Sequence, residues 1–201
     1  MIQEDFLNKT DQELVTLTLK EKEHYGFLIQ RYEEKLKRYI VRLSGGRVED
    51  ANDVLQEVFI KVYRNLNGYD HSLKFSSWIY RIAHNETITF LRKINRKPTT
   101  YNFDIDAIQV KTLKEDLNIE KEIDKKRLAY DVAKVISRLN PKYKDVLSLR
   151  YVEDKDYKEI SDILKKPAGT VATLLRQAKE EFKKEILKDP LINGPDSHFL
   201  N

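Results

Sequence analysis

An all-α protein of two helical domains joined by a flexible linker is what this sequence predicts, and three observations carry that reading. Apolar residues recur at spacings of three and four over residues 11–96 and again from about 128 onward. The chain is rich in Lys, Glu and Leu, with only six glycines and five prolines in 201 residues, a balance that suits helices and gives no indication of strands. Between 98 and 126 the periodicity weakens and charges of both signs crowd together, the mark of a connector. The expected organisation is a first domain over 1–97, a linker over 98–127, a second domain over 128–187 and a tail over 188–201.

The first block breaks at Ser44-Gly45-Gly46 and around Asn67-Gly68-Tyr69-Asp70, which implies three or four helices. The first are expected over 11–23 and 27–43, the latter burying Leu28, Tyr32, Leu36, Tyr39, Ile40 and Leu43. A helix over 52–66 buries Leu55, Val58, Phe59, Val62 and Leu66, and another runs from about 74 to 93 with Trp78, Ile79, Ile82, Ala83, Phe90 and Leu91 as its apolar stripe.

In the second block, Asn140-Pro141 marks a helix start, since Asn accepts from a free first-turn amide and Pro has no amide to leave unpaired. Asp156 with Glu159 three residues on is a second start. The turn at 165–169 separates that short helix from a longer one over about 170–187, giving helix, turn, helix. Val171, Leu175, Ala178 and Phe182 are expected to bury the long helix against Ile160 and Leu164.

Composition excludes several function classes. No cysteine removes disulfides and thiolate metal sites, and His24, His71, His84 and His198 lack paired-ligand spacing, so no metal or other cofactor is expected. The acidic start lacks a signal peptide's basic and apolar regions, and no apolar run approaches membrane-spanning length, so a cytoplasmic protein is expected. There is no phosphate-cradling glycine loop, nucleophile motif or ligand cluster, so no enzyme and no small-molecule substrate is expected. A net charge of +4 is weak evidence for a polyanionic partner, and its distribution matters more.

Three surfaces stand out. The outer face of the 52–66 helix carries Asp53, Gln56, Glu57, Ile60, Lys61 and Arg64, which reads either as a solvated charged face or as a mixed docking surface. From 74 to 97 there are six basic residues against the single acid Glu86, with Phe75 and Trp78 interleaved. Here Arg81, Asn85 and Arg92 share a narrow arc suited to phosphates and unpaired bases, while Phe75 and Trp78 are stacking platforms or simply core. On the long helix of the second block, Thr170, Ala172, Thr173, Arg176, Gln177, Lys179 and Lys183 are of types that contact phosphates and base edges, although such hairpins also occur in proteins that never meet DNA.

Taken together, the stretches DANDVLQEVFIKVYRNL at 50–66, FSSWIYRIAHN at 75–85 and GTV at 169–171 resemble the bacterial sigma factors of the extracytoplasmic-function type, in order and spacing, over most of the chain. The resemblance implies a first domain that binds the clamp helices of the RNA polymerase β′ subunit and the minus-ten promoter element. It implies a second domain that reads the minus-thirty-five element. Asp53, Gln56, Glu57, Ile60 and Lys61 would then face core polymerase. The loop with Asn67, Gly68, Tyr69 and Asp70 would capture an extruded base, and Lys74, Trp78, Arg81, Asn85 and Arg92 would hold the opening DNA. Thr170, Ala172, Thr173, Arg176, Gln177 and Lys179 would face the upstream element. An anti-sigma protein is a further partner of this family.

Two departures from the family pattern are visible. Thr89 stands where an acid is common, so an ion pair that braces that helix is absent or replaced. Ala172, Leu174 and Gln177 stand where Lys or Arg is common, which weakens the expected upstream contact. Two rival readings remain at this stage: a polymerase-binding adaptor without promoter selectivity, and a stand-alone helix-turn-helix regulator.

Overall fold

The computed structural model describes residue 6, residues 8–44, 48–94, 135–136 and 138–188, with only the backbone of residues 48 and 49. The chain divides into two compact units, one of residues 1–97 with 162–164 and one of residues 98–161 with 165–201. The described residues form helices and turns and include no strand. The expected linker over 98–127, the tail from 189, and the glycine pair Gly45-Gly46 lie outside them.

In the first unit, α1 (Asp11–Lys20) begins at a capping box. The Thr10 hydroxyl accepts from the Glu13 amide and the Glu13 carboxylate accepts from the Thr10 amide, which satisfies two otherwise orphaned donors. It ends at Lys20 rather than at 23, and Lys22–His24 form a 3₁₀ turn that hands the chain to α2 (Tyr25–Ser44). All six expected stripe residues of α2 are buried. Next, α3 (Val48–Asn65) starts earlier than its apolar pattern indicates and buries Ala51 and Val54 in addition to Leu55, Val58, Phe59 and Val62.

A 3₁₀ turn at Leu66–Gly68 and a short loop lead to α4 (Phe75–Lys93). The loop is ordered by side chains: the Asp70 carboxylate accepts from the Ser72 amide at 2.9 Å, a local turn that spares the backbone a partner. Helices α2, α3 and α4 pack pairwise as a three-helix bundle, with α1 laid mainly on α2. Of the expected α4 stripe, Ile82 and Phe90 are only half-buried, whereas Tyr80 and Thr87 are buried. The Thr87 hydroxyl donates to the Ala83 carbonyl at 2.7 Å, and that bond lets a polar residue sit inside.

In the second unit, α5 (Pro141–Tyr151) starts as expected, the Asn140 side chain accepting from the Lys142 amide. Asp156 caps α6 (Tyr157–Leu164) in a reciprocal box with Glu159. The turn that follows is tighter than the expected 165–169, since the next helix already begins at Ala168. The left-handed residue is Lys165, with φ of 52°, and Gly169 lies inside α7 (Ala168–Lys188). Ser161 supports that conformation, its hydroxyl donating to the Lys166 carbonyl at 2.6 Å and its own carbonyl accepting from the Lys166 amide. Val171, Leu175, Ala178 and Phe182 are buried, α7 packs chiefly on α5, and of the two expected partners Ile160 is buried and Leu164 half-buried.

Candidate nucleic-acid and partner interfaces

The outer face of α3 presents Asp53, Gln56 and Glu57 to solvent and Ile60 half-buried among them. Gln56 and Ile60 form the rim of an apolar groove of about 970 Å³ between α2 and α3, whose walls also include Tyr25, Ile29, Phe59 and Tyr63. The Tyr25 hydroxyl donates to the Phe59 carbonyl at 2.7 Å and its ring leans on Tyr63 at 5.1 Å between centroids. Burial holds that hydroxyl far above the ordinary tyrosine value. Sequence periodicity missed this groove, because its second wall comes from α2 and the pairing of Tyr25 with Tyr63 spans two helices.

Lys61 is half-exposed and reaches across to α4. Its Nζ lies 2.6 Å from the Glu86 Oε2 on α4, and both line a cleft of about 430 Å³ at the junction of α3, the following turn and α4. Asn65, Gly68, Trp78, Ile82 and Asn85 complete that cleft with Arg64. Of the residues expected on the minus-ten side, Gly68, Trp78 and Asn85 are thus brought together. Exposed Asn67 and Asp70 lie on the adjoining loop, exposed Lys74 precedes α4, and Arg81 and exposed Arg92 lie along α4 outside the cleft. Thr89 is exposed, and the Lys61–Glu86 pair ties α4 to α3 one turn closer to Asn85.

Two expected contact residues are core. Tyr69 is 4% exposed and Trp78 6%. The Tyr69 ring meets Phe75 edge-on at 5.3 Å and Trp78 at 5.3 Å, and its hydroxyl donates to the Leu73 carbonyl. Neither ring offers an open face for stacking; Trp78 contributes an edge to the cleft wall. Aromatics at helical spacing next to a turn pack on each other before they meet solvent, because each buries a large apolar area.

On α7, Thr170, Ala172, Thr173 and Arg176 are exposed, and Gln177 and Lys179 are half-buried. The Thr173 hydroxyl donates to the Gly169 carbonyl at 2.9 Å, and Arg176 pairs with Glu180 at 2.7 Å. Gln177 Oε1 lies 3.5 Å from the Tyr143 hydroxyl of α5. Among the described residues no cluster of His, Asp or Glu is placed to hold a metal ion, and no helix is long and apolar enough to cross a membrane.

The described residues thus form a helical bundle with a cleft at the α3–α4 junction and, further along the chain, a helix-turn-helix. The sigma-70 region 2 family matches residues 28–97, and the sigma-70 region 4 family matches residues 130–182. The chain is 32% identical over 176 residues to the ECF RNA polymerase sigma factor SigW of Bacillus subtilis, covering 81% of this chain and 88% of that protein. It is also 32% identical over 192 residues to the ECF RNA polymerase sigma-E factor of Escherichia coli K12, covering 91% and 96%. Similar solved folds include CnrH in complex with the cytosolic domain of CnrY, with a TM-score of 0.64, 18% identity and coverage of 90% and 99%. Another is the sigma factor RpoE from Bartonella quintana in complex with the anti-sigma factor NepR, with a TM-score of 0.55, 14% identity and coverage of 80% and 95%. The chain belongs to the RNA polymerase sigma factors of the extracytoplasmic-function type, which act in transcription initiation.

Proposed function

We propose that this sigma factor divides its work between two surfaces of the first unit and one of the second. Residues 1–97 dock core polymerase through Asp53, Gln56, Glu57 and Ile60 on the outer face of α3 beside the apolar groove, where the clamp helices of the β′ subunit fit a mixed apolar and charged surface. The loop over 67–72 and the α3–α4 cleft take an unpaired base of the minus-ten element. Lys74, Arg81 and Arg92 hold the flanking backbone, where Lys and Arg neutralise phosphates and release counterions. Residues 128–187 place the exposed start of α7 in the major groove of the minus-thirty-five element. Residues 98–127 connect the two.

The observation that carries this reading is the convergence of Gly68, Trp78 and Asn85 in one cleft beside a basic helix. Pulling a base from the stack costs a few kcal/mol, and a pocket that accepts it both melts and selects DNA. Nothing in this work calls for covalent chemistry, so the protein acts as a binding factor in the cytoplasm, where polymerase is. The same groove is also the natural seat of an anti-sigma protein. The test is transcription in vitro from fragmented source-genome DNA by core polymerase with and without the protein, mapping transcript starts. Discrete new starts sharing upstream motifs are expected.

A second reading, an adaptor with little promoter selectivity, draws support from α7, where Arg176 is already paired with Glu180. Core binding without new starts in the same experiment is its signature.

A further inference from the structure

We propose that Glu86 makes the α3–α4 cleft reject thymine and require an exocyclic amine on the captured base; this rests on the base-capture reading above. Glu86 is the single acid of α4, next to Asn85, and it stands on the wall of a cleft whose surroundings are basic. A carboxylate on a phosphate-binding face repels the backbone, so electrostatic holding alone gives no use for it. Its side chain is 18% exposed, and Lys61 occupies Oε2 at 2.6 Å, which offsets the charge and sets the orientation. Among the described residues, Oε1 accepts no hydrogen bond.

An ionised carboxylate can only accept. The amines of cytosine, adenine and guanine donate to it, and the cytosine and adenine ring nitrogens beside those amines find donors in Lys61 and the Asn85 amide. Thymine has no amine. Its one ring N–H is flanked by two carbonyl oxygens, so presenting it brings oxygen lone pairs against the carboxylate. A site built around a hydrogen-bonding group discriminates strongly against a partner that leaves it unmatched. Lys61 and Glu86 thereby do more than bridge two helices.

The test uses holoenzyme assembled from the full chain and core polymerase, and fork-junction DNA whose unpaired minus-ten strand is randomised. The bound pool is sequenced for the native protein and for Glu86→Gln, whose amide both donates and accepts. Core binding by the same samples, through the separate outer face, reports that the variant is folded. At one position thymine is expected to be depleted about tenfold, the scale of one good base contact, and in Glu86→Gln to return to within about twofold of the other bases. Uniformly weaker binding by Glu86→Gln with thymine still depleted would mean the pair is only a brace, and the inference fails while base capture stands. Thymine enrichment at the sensitive position overturns the inference as well. No base preference at any position removes both this inference and the base-capture reading beneath it.

Discussion

The Tyr69 hydroxyl donates to the Leu73 carbonyl at 2.5 Å, closing the loop between α3 and α4 onto the aromatic core of Phe75 and Trp78. The loop expected to meet single-stranded DNA is therefore held from inside. Tyr69→Phe keeps the ring packing and loses about 1 kcal/mol of hydrogen bonding. A small drop in thermal midpoint is expected, with weaker binding to fork-junction DNA and unchanged core binding, measured on one preparation.

Glu57 is exposed on the outer face of α3, so its charge can be reversed without disturbing the core. Glu57→Arg is expected to weaken association with core polymerase at least severalfold while leaving the unfolding transition within about 0.5 kcal/mol of native. Titration of labelled core polymerase reads the first and thermal denaturation the second. Unchanged affinity would count against this face as the docking surface.

Arg176 and Glu180 form an exposed pair one turn apart on α7, worth only about 0.3–0.5 kcal/mol and easily exchanged for a phosphate or base edge. Arg176→Ala is expected to lower occupancy of the upstream promoter element, and Glu180→Ala to raise it by releasing the arginine. Footprinting of both variants on one promoter checks this, and unchanged occupancy in Arg176→Ala would count against a DNA contact by Arg176.

Burial pushes Tyr80 up to about 12, with Arg42 and Arg38 opposing the shift. Burial raises Tyr25, Tyr32 and Tyr69 too, with nearby Asp11 adding to the rise at Tyr32 and Tyr69. A group whose folded value lies above its unfolded value of about 10 contributes stability that is complete below about pH 10 and is lost as pH rises through the folded value. Unfolding free energy is expected to fall between about pH 10 and 12. Tyr80→Phe should flatten that fall, as followed by denaturant titration at fixed pH steps.

Asp156 caps α6 through the Glu159 amide at 2.8 Å. Replacing it with Ala is expected to cost about 1 kcal/mol of stability in the second unit and to weaken promoter binding upstream without affecting core binding. Calorimetry of the full chain checks the first expectation.

Much of the fold was legible because it rests on local rules. The Asn140-Pro141 and Asp156 starts depend on residues within a turn of each other, and the α2 stripe from Leu28 to Leu43 repeats at the helical period, so neighbouring letters carry both. The left-handed Lys165 was not legible, since a lysine carries no local signal for a positive φ. A hydroxyl from Ser161 and a chain bound to continue into α7 hold the lysine there instead.

The sequence by itself determined two helical blocks, a basic stretch over 74–97 and, through its motifs, membership of a sigma-factor family. Only the tertiary structure decided that Tyr69 and Trp78 turn inward, that Lys61 pairs with Glu86 on the neighbouring helix, and that Tyr25 and Tyr63 form one groove. Periodicity sorts side chains into a buried and an exposed half of one helix. It cannot say which neighbouring helix an intermediate residue meets, and that choice is made by packing between segments far apart in the chain.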